Sequence, residues 1–311
     1  MTFDRARMLT DVRAGMAAYQ RQLPSKYFYD ERGSRLFDEI TRLPEYYPTR
    51  SERALLEQSG SAIITLSHPA TLVELGSGSS DKTRLLLEEM LRSRVNSATY
   101  IPIDVSADFL AAAAGQLRGE YPSLQIAPVA ADFFSSFALP AHPAPALHAF
   151  LGSTVGNFTP DEAVALLSGV RDRMAADDWF LLGIDLRKDP EIIERAYNDS
   201  RGITGTFNTN ILNVINDSLG ADFDMSSFDH NAVYNTVEHR IEMRLVSNVN
   251  QQVHIPDIDT IEFVVGDTIL TELSYKYNRE QITGILATSG LTLREWFTDT
   301  GEMFALALAT C

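Results

Sequence analysis

Between Thr71 and Ile184, short continuous apolar runs alternate with stretches whose apolar residues recur at helical spacing. The runs Thr71–Leu75, Thr99–Ile103, Leu124–Ala130, Ala146–Leu151 and Trp179–Ile184 have strand length and almost no charge, as strands buried on both faces do. Lys82–Arg92, Ala107–Arg118 and Asp161–Met174 read as the helices between them. Thr159-Pro160 gives the last of these an N-cap and a first helical residue with a preset φ. Strands joined by helices of this length predict right-handed crossovers and an α/β, doubly wound parallel sheet. Two further runs, Leu291–Phe297 and Met303–Ala309, are joined by a short link containing Thr298-Asp-Thr-Gly301 and predict a terminal antiparallel hairpin, which makes seven strands.

The rest of the chain breaks this alternation. Residues 1–58 read as helices with a tyrosine-rich loop. Residues 187–277 start with a charged helix (Pro190–Asn198), continue through Phe207–Leu219 and become strand-like at Thr236–Ser247 and Thr260–Val265. The expectation is a sheet domain formed by 59–186 and 278–311, and a discontinuous second α+β domain formed by 1–58 and 187–277.

Composition narrows the function classes. The 311 residues, 45% of them hydrophobic, supply core for one large domain or two modest ones. A net charge of −16 disfavours nucleic acid, whose phosphates are bound mainly through Lys and Arg. The single cysteine, Cys311, rules out a disulfide framework and points to a reducing, cytoplasmic setting. The first residues lack an apolar signal region and no run reaches membrane-spanning length, so no membrane partner is expected. The six histidines are scattered without ligand spacing, and no metal site is expected.

The chemistry concentrates around Glu74-Leu-Gly-Ser-Gly78, an acidic residue and two glycines between an apolar run and a helix. Glycines there let a ligand approach the backbone. A phosphate loop would need glycine where Asp81 stands before Lys82-Thr83. A dinucleotide loop would need a third glycine among Ser79, Ser80 and Asp81, which disfavours a nicotinamide-dependent dehydrogenase. The pattern that remains is similar to the first motif of S-adenosylmethionine (SAM) methyltransferases, with a plain turn as the alternative. Asp104 ends the second strand, where a carboxylate accepts ribose hydroxyls, although it also sits near a helix start that Ser106 is better placed to cap. Asp132-Phe133, after the third strand, offers a carboxylate and a ring to an adenine. With Glu74, three acids then stand at successive strand ends. Lys82 suits a ligand carboxylate or a solvated helical turn. Asn157, in the glycine-flanked loop after the fourth strand, has both a donor and an acceptor for a substrate. Tyrosines cluster in Lys26-Tyr-Phe-Tyr29 and in Leu43-Pro-Glu-Tyr46-Tyr-Pro-Thr-Arg50. Glu272 and Ser274 alternate along a strand, so they share one face. By spacing alone that face could be solvent.

Taken together, Tyr27–Asp30, Arg32–Arg50, Val73–Gly78, Gly152–Asn157, Ala196–Asn198 and Glu272–Lys276 resemble the L-histidine Nα-methyltransferases of ergothioneine biosynthesis across nearly the whole chain. The resemblance implies a class I SAM-methyltransferase fold and trimethylation of histidine to hercynine, with S-adenosylhomocysteine (SAH) as the other product. It implies a small-molecule substrate, and a monomer is expected. It puts Gly76, Lys82, Asp104, Asp132 and Phe133 at SAM, and Tyr46, Asn157, Tyr197, Glu272 and Ser274 around the amino acid. Asn157 and Tyr197 would hold the carboxylate end, Glu272 and Ser274 the imidazole, and Tyr29 would sit beside the α-amine. Tyr275 and Tyr277 would line the outside of the pocket. Asn198 replaces an acidic neighbour of Tyr197. Two alternatives stay open: another acceptor such as tryptophan, and a SAM-binding module without catalysis.

Overall fold

The computed structural model describes residues 3–93, 98–131 and 137–311. The chain divides into two compact units, Pro48–Arg187 with Tyr275–Cys311, and Met1–Tyr47 with Lys188–Ser274. The expected boundary at 58/59 is displaced because Tyr47–Ser67 is one unbroken helix, and the division falls at its first residue. The later boundaries lie at 187/188 and 274/275.

The larger unit is built on a mostly parallel sheet. Across it the strands run Thr292–Thr298, Phe304–Thr310, Trp179–Asp185, Ala146–Phe150, Thr71–Leu75, Ala98–Asp104 and Leu124–Ile126. The terminal hairpin is antiparallel, with Phe304–Thr310 paired to Trp179–Asp185. This is the doubly wound sheet with a terminal antiparallel hairpin that the alternation of runs predicts. One expected strand is split. Leu124–Ile126 and Val129-Ala130 both pair with Ala98–Asp104, but Pro128 has no N–H to continue the ladder. The ladder resumes at Ala131, whose N–H donates to the Asp104 carbonyl at 3.0 Å.

Thr71–Leu75 and Ala146–Phe150 are buried at every residue, which explains their unbroken apolar character. Leu55, Leu56, Ile63 and Ile64 of the helix Tyr47–Ser67 join Leu86, Leu87 and Met90 of Arg84–Ser93 and the sheet in one core. Thr159 caps Pro160–Arg171 in a reciprocal capping box with Glu162.

In the smaller unit the helix Ile203–Leu219 packs against a three-stranded antiparallel sheet ordered Thr268–Tyr275, Arg240–Ser247, Phe228–Asn235. The expected strand Thr236–Ser247 starts later and is the second arm of a hairpin. Its turn needs no glycine: the Asn235 side-chain oxygen accepts from Val237 and Glu238 N–H at 3.0 Å each, and His239 takes the left-handed φ of +53°. The helix Glu31–Ile40 also packs on Ile203–Leu219. Asp30 caps it by accepting from Gly33 N–H at 2.6 Å, and also accepts from the buried Asn210 at 2.8 Å. A Cβ on Gly33 would stand 1.7 Å from the Phe28 carbonyl oxygen, so Asp30 and Gly33 of this tyrosine-rich stretch are fixed by folding.

Candidate active site

Each unit carries its own set of candidate residues. In the larger unit, the chain leaves Thr71–Leu75 through Gly76 (φ +67°) and Gly78 (φ +50°), a left-handed backbone that disfavours side chains. Gly76 and Ser77 N–H groups donate to the Ile103 carbonyl at 2.8 and 3.2 Å. Gly78 N–H donates to the Asp104 carboxylate at 3.1 Å, and the other carboxylate oxygen accepts from Ser106 N–H at 3.1 Å. Asp104 therefore braces the glycine loop, while Ser106 caps the following helix. Burial pushes the Asp104 carboxyl above the usual range.

Glu74 does not join Asp104 at the surface of the loop. Its buried carboxylate accepts from the Thr83 and Tyr100 hydroxyls, and the Ser80 hydroxyl lies 2.8 Å from that of Tyr100. Burial raises its carboxyl to about 7 from an ordinary 4.5. Of the three acids at successive strand ends, Glu74 thus ties the loop to the core. From pH 4.5 to 7 the unfolded chain ionises while the folded one keeps its proton, so stability is lost as pH rises through that window. Glu74→Gln removes this dependence. The parent is expected to lose about 3 kcal/mol relative to the variant between pH 4 and pH 8, read from paired urea denaturations. A difference that stays constant with pH would contradict this account.

Lys82 forms an ion pair with Glu52 of the helix Tyr47–Ser67. Asn157 closes the short 3-10 turn Thr154–Asn157, which is entered through Ser153 in a left-handed conformation. The Ser153 hydroxyl accepts from Asp185 N–H at 2.8 Å, fixing that loop to the end of the next strand. Asp132 and Phe133 lie outside the described residues.

In the smaller unit, the fold gathers residues that are far apart in sequence. Tyr29 meets Phe37 and Phe207 edge-on at 5.6 and 5.7 Å between ring centres. Phe37 meets Tyr46 at 6.2 Å, and Tyr46 meets Tyr197 at 6.4 Å. The Tyr197 hydroxyl donates to the Ser274 hydroxyl at 2.8 Å. Tyr29, Tyr46, Tyr197 and Ser274 thus form one connected aromatic and hydroxyl-bearing wall, with Phe37 and Phe207 as members that the spacing did not disclose. Glu272 is half-buried two residues before Ser274, while Thr271, on the other face of the strand, donates inward to Asn208 at 2.6 Å. His230 fixes Tyr197 from behind. Its Nδ1 accepts from the Asn208 amide at 2.9 Å, so Nε2 carries the proton and donates to the Tyr197 carbonyl at 2.9 Å. Burial lowers the His230 pKa. Asn198 donates to the Glu194 and Ala232 carbonyls at 2.9 Å each, closing the helix that bears Tyr197.

The Leu43–Tyr47 stretch is tied to the same region. Glu45 accepts from the Ser200 hydroxyl at 2.8 Å, and Lys188 donates to the Tyr47 hydroxyl at 2.9 Å. Tyr275 and Tyr277 were expected at the outside of the pocket. They are buried, at 6% and 2% exposure, and stack on each other in the larger unit.

Residues 8–311 match the model of one protein family, described as histidine-specific methyltransferase, SAM-dependent. The chain belongs to this family. It is 44% identical over 300 residues to the histidine N-alpha-methyltransferase of Mycolicibacterium smegmatis, covering 96% of this chain and 93% of the relative. The Mycobacterium tuberculosis protein of the same name is 42% identical over the same shares. Ergothioneine biosynthesis protein 1 of Neurospora crassa is 31% identical over 89% of this chain, which spans 32% of that longer protein.

The larger unit of this SAM-dependent methyltransferase has features that fit the cosubstrate. At Gly78 a Cβ would meet no atom within 4 Å, so the loop is open on that side. Within the same loop, the buried Ser77 hydroxyl has no hydrogen-bond partner among the described residues. Among these residues there is also no cluster of three or more metal-ligating side chains, and no helix is long and apolar enough to cross a membrane.

Proposed function

We propose that this chain methylates the α-nitrogen of L-histidine three times, giving hercynine, the first step of ergothioneine biosynthesis. The observation that carries the reading is the family membership, with 44% identity to a histidine N-alpha-methyltransferase along nearly the full chain. The wall formed by Tyr29, Tyr46, Tyr197 and Ser274 supports it in the smaller unit.

In this reading the larger unit binds SAM. Gly76 and Gly78 admit its backbone-close portion, Asp104 accepts the ribose hydroxyls, and Asp132 and Phe133 take the adenine. Lys82 meets the carboxylate of its amino-acid moiety. SAM supplies a methyl group made electrophilic by the sulfonium, so the protein's task is positioning and desolvation. The smaller unit binds the amino acid. Tyr197 takes the substrate carboxylate, while Glu272 and Ser274 take the imidazole. Tyr29 accepts a hydrogen bond from the amine. An ammonium has no lone pair, and an apolar aromatic wall favours its neutral form. The same rings tolerate the quaternary product through cation–π attraction.

Mass spectrometry of L-histidine incubated with the protein and SAM is expected to show gains of one, two and three methyl groups, the last accumulating. A parallel panel with tryptophan and other amino acids is expected to stay unmodified. Methylation of another amino acid in preference to histidine would reassign the acceptor, and SAM binding without any methyl transfer would remove the catalytic reading.

A further inference from the structure

Glu52 follows the tyrosine-rich stretch by two residues, in the helix Tyr47–Ser67, and its side chain is fully buried. Its carboxylate sits between three segments of the larger unit. It pairs with Lys82, which is itself only 22% exposed. Both of its oxygens accept from the Gly152 N–H, at 2.7 and 3.0 Å, where the chain leaves Ala146–Phe150 toward Asn157. It also lies flat against the backbone of the next strand. A Cβ on Gly183 would stand 2.0 Å from Oε1. Gly152 itself has a left-handed φ of +80°, and a Cβ there would come within 3.6 Å of Lys82 Nζ.

A buried carboxylate normally carries a large desolvation penalty, offset only by a counter-charge and well-aligned donors. Glu52 has both, in a niche that bare backbone at Gly183 makes possible. Lys82 has three N–H donors on a flexible stem. Engaging one of them with a fixed carboxylate restricts where the other two point.

We propose that Glu52 is a positioning residue for the SAM site: it aims Lys82 at the amino-acid moiety of SAM and locks that lysine to the loop that carries Asn157. The inference rests on the reading of this unit as the SAM site. Replacement by glutamine is informative because an amide has one acceptor oxygen. If that oxygen keeps the Gly152 N–H, the NH2 group faces the Lys82 ammonium, donor against donor, and turns the lysine away.

Two ligands separate positioning from packing. SAH carries the amino-acid moiety, whereas 5′-methylthioadenosine shares the nucleoside but lacks the carboxylate. By titration calorimetry, Glu52→Gln is expected to weaken SAH by about tenfold or more while leaving methylthioadenosine within about twofold. Lys82→Met is expected to give the same pattern, and the double variant should be no weaker than the worse single one. Unchanged SAH affinity, or an equal loss for both ligands, would overturn the proposal. If Glu52→Gln does not fold, Gly183→Ala, which crowds the same carboxylate, is judged by the same two ligands. A parent protein that bound neither ligand would sink the SAM reading itself and this inference with it, an outcome distinct from selective failure of the variants.

Discussion

Glu272→Ala is expected to lower kcat/KM for L-histidine by roughly a hundredfold while leaving the affinity for SAH within about twofold. Under the proposed assignment Glu272 accepts from an imidazole N–H, and a hydrogen bond to a charged group in a half-buried site contributes about 1.5–3 kcal/mol. The loss should be selective because the strand holding Glu272 belongs to the smaller unit, whereas the glycine loop and Asp104 belong to the larger. Its neighbour Ser274 is already held by the Tyr197 hydroxyl, so the variant keeps a preformed wall and lacks only the acid. Glu272→Gln, which retains an acceptor oxygen, should fall between the two. Initial rates over a panel of amino acids, with SAH calorimetry alongside, give the answer. Histidine turnover by Glu272→Ala equal to that of the parent would remove Glu272 from the recognition of the ring.

Asp104→Ala is expected to weaken SAH binding by about two orders of magnitude. Two effects add. The proposed acceptor of the ribose hydroxyls disappears, and the Gly78 and Ser106 N–H groups lose the carboxylate that holds the loop at 3.1 Å on each side. Each is a hydrogen bond to a charged group, and one such bond alone is worth about tenfold or more. The pH dependence carries a definite sign. Burial raises the Asp104 carboxyl above its ordinary range, and the ionised form is the better acceptor. SAH affinity should therefore fall on acidification at a pH above that at which an ordinary aspartate titrates. Retained affinity in Asp104→Ala, by the same calorimetry, would reassign the ribose contact.

The aromatic wall and the Glu52 niche show how differently the two halves of the chemistry are encoded. The glycine loop is legible because its cause is local: a strand, two left-handed glycines and a helix within a dozen residues need particular residue types at fixed spacing. Asn157 was visible for the same reason, as a polar residue in a glycine-flanked turn. Glu272 and Ser274 were visible as a pair, but spacing alone left their face open to solvent. The resemblance to the histidine methyltransferases, rather than periodicity, marked them as ligand-facing. Phe37, Phe207 and His230 gave no signal, because a phenylalanine at helical spacing reads as core and an isolated histidine as ordinary.

By itself, the sequence determined the sheet and its crossovers, since strands buried on both faces must be continuously apolar and capped helices announce their starts. It also determined the family. Tertiary structure decided which partners the buried polar groups take. Glu74, at a strand end like Asp104, turns inward to Thr83 and Tyr100, while Glu52, in an unremarked helical turn, reaches Lys82 and Gly152. It also broke one expected strand at Pro128 and made Phe228–Asn235 the partner of another. The reason is physical. Periodicity and capping are set by neighbours in the chain, whereas a buried carboxylate takes its partners from segments that only the folded sheet brings within hydrogen-bond distance.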